Sequence, residues 1–154
     1  MKHLFLARHG AHDYDWHLNE AGRKQMKALG TAIKEILNGG SAYVLTSEVL
    51  RALESSEILA ALLGLPGPEK TFLLQHAGLT EKLAIQVKEN EGMADGLILV
   101  THQDVIGGFA EYFLPRELGR DLRQDDLYQI GALKSGRAIH LDRDAKNYRI
   151  IPME

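Results

Sequence analysis

The feature that most constrains this chain is its alternation of short apolar runs with longer stretches of helical spacing. "HLFLA" (3–7), "AYVLTS" (42–47) and "GLILVTH" (96–102) are too short for helices and read as buried strands. Between the first two, "NEAGRKQMKALGTAIKEILNGG" places Met26, Leu29, Ile33, Ile36 and Leu37 three and four residues apart, the signature of an amphipathic helix. Asn19 is its predicted N-cap and Gly39-Gly40 its stop. Residues 48–64 predict a second helix, with Val49, Leu53, Leu59 and Leu63 inward, broken by "LPGP". "KTFLL" (70–74) reads as a weaker strand, 80–90 as a helix, and "DVIGGFAEYFL" as a helix in which Gly107-Gly108 suits close packing. "LYQIGAL", "KSG" and "RAIHLD" read as a closing hairpin around a glycine turn. Strand and helix in alternation imply an α/β three-layer sandwich: a mostly parallel sheet, helices on both faces and a C-terminal antiparallel hairpin. At 154 residues, one domain over 1–154 is expected.

In such sheets the ligand crevice lies at the carboxyl ends of the strands. Arg8, His9 and Gly10 follow the first strand, Thr46 and Ser47 end the second, and Arg51 lies in the first turn of the next helix. Thr101 and His102 end "LILV". Two arginines converging on one crevice indicate an anion, because guanidinium forks match phosphate or carboxylate oxygens. Beside such an anion one histidine can serve as a binding cation and the other as a neutral nucleophile, and His9, read at an exposed strand end, suits the second role.

Composition narrows the chemistry further. The chain has no cysteine, hence no thiolate nucleophile or thiolate metal site. A net charge of −3 argues against nucleic acid as a partner. No apolar run reaches the roughly 18 residues of a membrane span, and no signal-peptide pattern opens the chain, so a cytoplasmic protein without a membrane partner is expected. His3 and His140 read as strand histidines without chemistry, and His12 and His17 as loop residues. His9, His12, Asp13, His102 and Asp104 can be drawn as a metal site, but the neighbouring arginines repel a dication.

"ARHGA", "TSEVLRALESSEILA", "LILVTHQDVIGG" and the helix "LNEAGRKQMKALG" together resemble the histidine phosphatase (phosphoglycerate-mutase-like) superfamily over most of residues 1–113. The resemblance implies catalysis by His9 as the phosphorylated nucleophile. It implies Arg8, Gly10, Arg51 and His102 as substrate-binding residues around the phosphoryl oxygens, with no metal or other cofactor. Departures bear on the substrate. Only Ala11 to His17 separates the Arg-His-Gly motif from the first helix, where larger relatives carry a long gripping segment. Asp15 stands where many relatives have asparagine, and Glu48 where many have proline. The family's usual acid, a glutamate after the third strand, falls in "LLQHAGLTE", which offers His76 at that position and Glu81 five residues on. The chain is most similar in type to small SixA-like phosphohistidine phosphatases. The expected partner is a phosphorylated protein or a small phosphorylated metabolite. A phosphate-binding domain without turnover and a metal-dependent hydrolase are the alternatives, and the acid is His76, Glu81, Asp13, Asp15 or none.

Overall fold

The structure, a computed structural model, describes residues 1–153. Its elements are β1 (His3–Arg8), α1 (Glu20–Leu37), β2 (Ala42–Thr46), α2 (Leu50–Leu62), β3 (Glu69–Lys70), α3 (Thr80–Glu89), β4 (Gly96–Thr101), α4 (Gln103–Leu118), α5 (Gln124–Gly131), β5 (Ala138–Asp142) and β6 (Asn147–Ile151). They form one six-stranded sheet in the order β3-β2-β4-β1-β5-β6. The first four strands in that order run parallel, and β5 and β6 are antiparallel. This is the α/β sandwich expected from the alternating pattern.

Side-chain alternation along β1 assigns the two layers. Leu4 and Leu6 point into a core shared with Leu83, Val87, Phe109, Leu114 and Ile130 of α3, α4 and α5. Phe5 and Ala7 point into the opposite core, with Met26, Leu29 and Ile33 of α1 and Ala52 and Leu59 of α2. All six residues of β4 are buried, as a central parallel strand requires. The buried face of α2 is Ala52, Ser55, Ser56, Leu59 and Ala60, while Val49, Leu53 and Leu63 are only half-buried. Small residues there let α2 lie close beneath the site.

Two expected strands are corrected. "LYQIGAL" is mainly helix α5: Ile130 and Leu133, three residues apart, are buried while Leu127 and Tyr128 face water. Asp126 starts that helix by accepting the Arg123 N–H at 2.8 Å, and it also takes Arg120 and the Tyr148 hydroxyl. The antiparallel hairpin is therefore β5–β6. "KTFLL" supplies only the end of two-residue β3, then a 3-10 turn at Phe72–Leu74. The Thr71 hydroxyl accepts the Leu73 N–H at 3.4 Å and turns the chain away from the ladder. Gly107 has no neighbour within 4 Å of a built Cβ, and Gly108 only the Thr80 hydroxyl at 3.5 Å, so this pair is not a close-packing device. Among the described residues no helix is long and apolar enough to cross a membrane.

Candidate active site

The parallel register aligns the strand ends. Arg8 stands opposite Thr101, and Thr46 opposite Val100. The ladder continues one residue further, with His9 N–H donating to Thr101 O (3.1 Å) and Ser47 N–H to Val100 O (3.0 Å). His9 and His102 thus emerge side by side, their ring centres 5.3 Å apart and their planes at 60°. Both are buried, 6% and 8% exposed, which corrects the expectation of an exposed strand end for His9.

Hydrogen bonding fixes the His9 tautomer. Arg51, in the first turn of α2, donates from Nε to His9 Nε2 at 3.3 Å. Nε2 is therefore the acceptor, its one lone pair directed at Arg51. Nδ1 then carries the proton and donates to the Gly10 carbonyl at 2.9 Å. Burial, with the charges of His102, Arg51 and Arg8, depresses the His9 pKa to about 4, against an opposing contribution from the Gly10 bond. The ring is neutral at pH 7. His102 is likewise held to about 4, by burial first and Arg51 next, with Asp104 opposing and Arg8 and His76 adding.

His102 Nε2 lies 3.0 Å from the Ser47 hydroxyl, while its Nδ1 is buried without a partner. Arg8 is anchored from Nη1 to the Leu133 carbonyl at 2.7 Å, yet its buried Nε has no partner either. Among the described residues only three buried side-chain nitrogen or oxygen atoms lack a partner. Two of them belong to Arg8, next to His9 in the chain, and to His102, whose ring lies 5.3 Å from that of His9; the third, Gln103 Oε1, belongs to the residue after His102. Buried polar groups are almost always satisfied, so such a concentration marks a place for a ligand.

Ser55, which sequence reasoning passed over, orders the floor. Its hydroxyl donates to Arg51 O (2.7 Å) and accepts the Gly10 N–H (3.0 Å). The Gly10 amide is thus occupied, and its lack of a side chain matters instead: a Cβ would meet the Gly22 carbonyl at 2.7 Å. The signal for Ser55 was its place one helical turn after Arg51.

The remaining expected residues separate. Asp15 is exposed and turned away, accepting the His17 N–H at 3.1 Å. Exposed His76 shares a small cavity with Asp104, Val105 and Thr80, and its charge reaches His102. Exposed Glu81 opens α3 and lines a neighbouring hollow of about 560 Å³ with Thr80, Gly108, Glu111 and Tyr112. Among the described residues no three of His, Asp and Glu gather as a metal site, so the set drawn around His9, His12, Asp13, His102 and Asp104 does not converge. His3 and His140 pair instead with each other, 2.9 Å between Nδ1 and Nε2, beneath a stacked Phe5.

Two histidines and two arginines thus gather on the carboxyl edge of this α/β sheet. The chain belongs to the histidine phosphatase superfamily (branch 1), whose sequence profile matches residues 4–81, and as an enzyme it falls in the phosphatase class. No curated protein matches it by sequence. Among solved structures it is similar to the SixA protein of Agrobacterium tumefaciens, described as a phosphohistidine phosphatase, at 16% identity and a TM-score of 0.68, covering 98% of this chain and 95% of that one. It is also similar to the protein histidine phosphatase SixA bound to tungstate (21%, TM-score 0.64, 96% and 93% covered). The phosphoglycerate mutase of Plasmodium falciparum shares the fold as well (22%, TM-score 0.62, 98% and 89% covered).

Proposed function

We propose that this chain is a metal-independent cytoplasmic phosphatase that works through a phosphohistidine on His9, acting on phosphohistidine proteins or small phosphomonoesters. The observation that carries the reading is the pair of buried, unpartnered nitrogens, Arg8 Nε in the residue before a neutral His9 and His102 Nδ1 in the ring 5.3 Å from it. The SixA neighbours, one of them holding tungstate, support the same reading. So does the charge of Arg8 and Arg51, which suits an oxyanion and repels a dication.

In the first step the phosphoryl oxygens take the donors of Arg8, Arg51 and His102. As Arg51 turns its Nε–H from His9 to a phosphoryl oxygen, the released His9 Nε2 lone pair attacks phosphorus; the P–N bond forms as the bond to the leaving group breaks. The ring becomes cationic, and its Nδ1–H bond to the Gly10 carbonyl strengthens with that charge. The leaving group takes a proton from His76, or leaves already protonated when it is an imidazole. In the second step water attacks phosphorus, the P–N bond breaks and neutral His9 returns. Donors placed in advance around the equatorial oxygens lower the barrier, each by about 3 kcal/mol.

The test is to incubate the protein with phosphohistidine protein or a small ester carrying labelled phosphate, with and without chelator. Acid-labile, base-stable label should appear on the wild type and vanish in His9→Ala, which should still fold but turn over nothing. Hydrolysis at the wild-type rate by His9→Ala would rule out covalent catalysis, and inhibition by chelator would favour a metal hydrolase.

A further inference from the structure

Trp16 is the only tryptophan of the chain. It is 55% exposed, and its backbone φ is +69°, a region that bulky residues rarely enter. The loop spends several contacts holding it there. Trp16 N–H donates to Asp13 O (3.0 Å), and Asp13 N–H to His17 O (3.1 Å). His12 pairs with Leu18 in an isolated antiparallel bridge. Glu54 of α2 fastens the far end, accepting the Leu18 N–H at 2.9 Å and lying 3.1 Å from His17 Nδ1. Strain maintained in this way around an exposed side chain is characteristic of functional segments.

The conformation places the indole beside the catalytic cluster. The Arg51 guanidinium carbon lies 5.1 Å from the centre of the Trp16 ring. The His12 ring is 5.4 Å from Trp16 on one side and 5.5 Å from His9 on the other. His12, Asp13, Tyr14 and Trp16 line an open surface hollow of about 330 Å³, and three of these four residues carry rings. Tyr14 is fully exposed at its outer edge.

We infer that Trp16 is a specificity-determining residue: the wall of a leaving-group subsite that selects phosphoryl donors whose leaving group is a flat ring, neutral or cationic. The inference rests on the phosphoryl site proposed above. A phosphoryl group held by Arg51 lies one guanidinium away from the indole, so the substituent on phosphorus passes over the hollow. Rings offer stacking faces to a planar group and little to a bent aliphatic one. The Asp13 carboxylate in the wall disfavours an anionic leaving group and suits a heteroaromatic ring that picks up a proton as it departs.

The experiment compares phenylphosphonate with cyclohexylphosphonate, which are matched in size and differ in flatness. Neither can be hydrolysed, so calorimetry reads binding without turnover. The wild type should bind the phenyl compound about fivefold more tightly, the scale of one aromatic contact. Trp16→Leu should bind the two equally, and Trp16→Phe should keep most of the preference; circular dichroism and thermal melts check that both variants fold. Fluorescence of the single tryptophan should change as phenylphosphonate saturates the wild type. An undiminished preference in Trp16→Leu, or an equal loss of affinity for both compounds, overturns the subsite and leaves Trp16 a mere support for Arg51. Silent fluorescence at saturation overturns it too. Failure of the wild type to bind either phosphonate or inorganic phosphate refutes the phosphoryl site itself.

Discussion

Replacing Gly22 with alanine should damage both stability and activity, although the residue lies in α1 and touches no substrate. A Cβ at Gly22 would stand 2.0 Å from the Ala11 carbonyl oxygen and 2.9 Å from Ala11 C and N, where ordinary contact begins at 3.4 Å. The obstacle is backbone, so no side chain can swing aside. Ala11 must move, and its carbonyl accepts the Asn19 N–H (3.1 Å) while its N–H donates to Gln25 Oε1 (2.9 Å). Losing two such bonds costs about 2 kcal/mol, and overpacking adds about 1–3 kcal/mol. The expected total is about 3–5 kcal/mol, which for a chain of this size lowers Tm by about 6–20 °C. Ala11 follows His9 and Gly10 directly, so its displacement also drags the Gly10 carbonyl that orients the His9 ring. We expect kcat to fall at least about tenfold, equivalent to roughly 1.4 kcal/mol of barrier. Thermal melts by circular dichroism and hydrolysis of a phosphate ester measure the two effects. Gly107→Ala, in open space within α4, is the control and should be neutral or up to about 1 kcal/mol stabilising. A Gly22→Ala protein that melts with the wild type and turns over at its rate would refute the close-approach argument.

Arg51→Lys should lower kcat/KM at least about tenfold despite the retained charge, because an ammonium cannot both face His9 Nε2 and fork to phosphoryl oxygens; equal steady-state rates would make Arg51 a solvated helix residue. His76→Ala should depress ester hydrolysis more than phosphohistidine hydrolysis, and more than Glu81→Gln does, when both variants are assayed on both substrates from pH 5 to 9. The reverse ranking would make Glu81 the acid. Stability should fall on the acid side, since His9, His102 and His140 stay neutral to about 4 when folded but titrate near 6.5 when unfolded. The unfolded chain binds more protons throughout that window, so their contribution is complete above pH 6.5 and fades as pH drops toward 4. A Tm that stays flat from pH 7 to 4.5 would contradict the buried, neutral state of these rings.

Strand ends were the most legible part of the sequence. Short apolar runs that stop on Arg8, Thr46 and Thr101 announce both the parallel sheet and the edge where chemistry gathers, because side chains at equivalent registers must emerge together. What stayed hidden depended on tertiary partners. Ile130 and Leu133 recur at helical spacing within a short run rich in strand-forming residues, and the Asp126 network with Arg120 and Tyr148 that starts the helix is tertiary. Burial of His9 and His102 could not be read from residues that look solvent-bound at a strand end; it depends on tertiary neighbours such as Arg51 of α2 beside His9 and Ser47 beside His102. Trp16 gave no periodic signal, since its role comes from a left-handed backbone and from Arg51 and His12 on either side.

The sheet order has a consequence for how the chain acquires its shape during synthesis. β1 is made first, yet its two neighbours are β4, which begins at residue 96, and β5, which begins at 138. The strand that carries His9 therefore lacks its β4 partner until residue 96 is made and its β5 partner until residue 138 is made. Pairings of such long sequence separation form slowly, because loop closure is opposed by entropy before any contact rewards it. A nascent chain halted before β5 would hold α1, β2, α2 and β4 in place and still lack one flank of the strand that carries His9. The strand that carries His9 gains its second flank only when the β5–β6 hairpin docks.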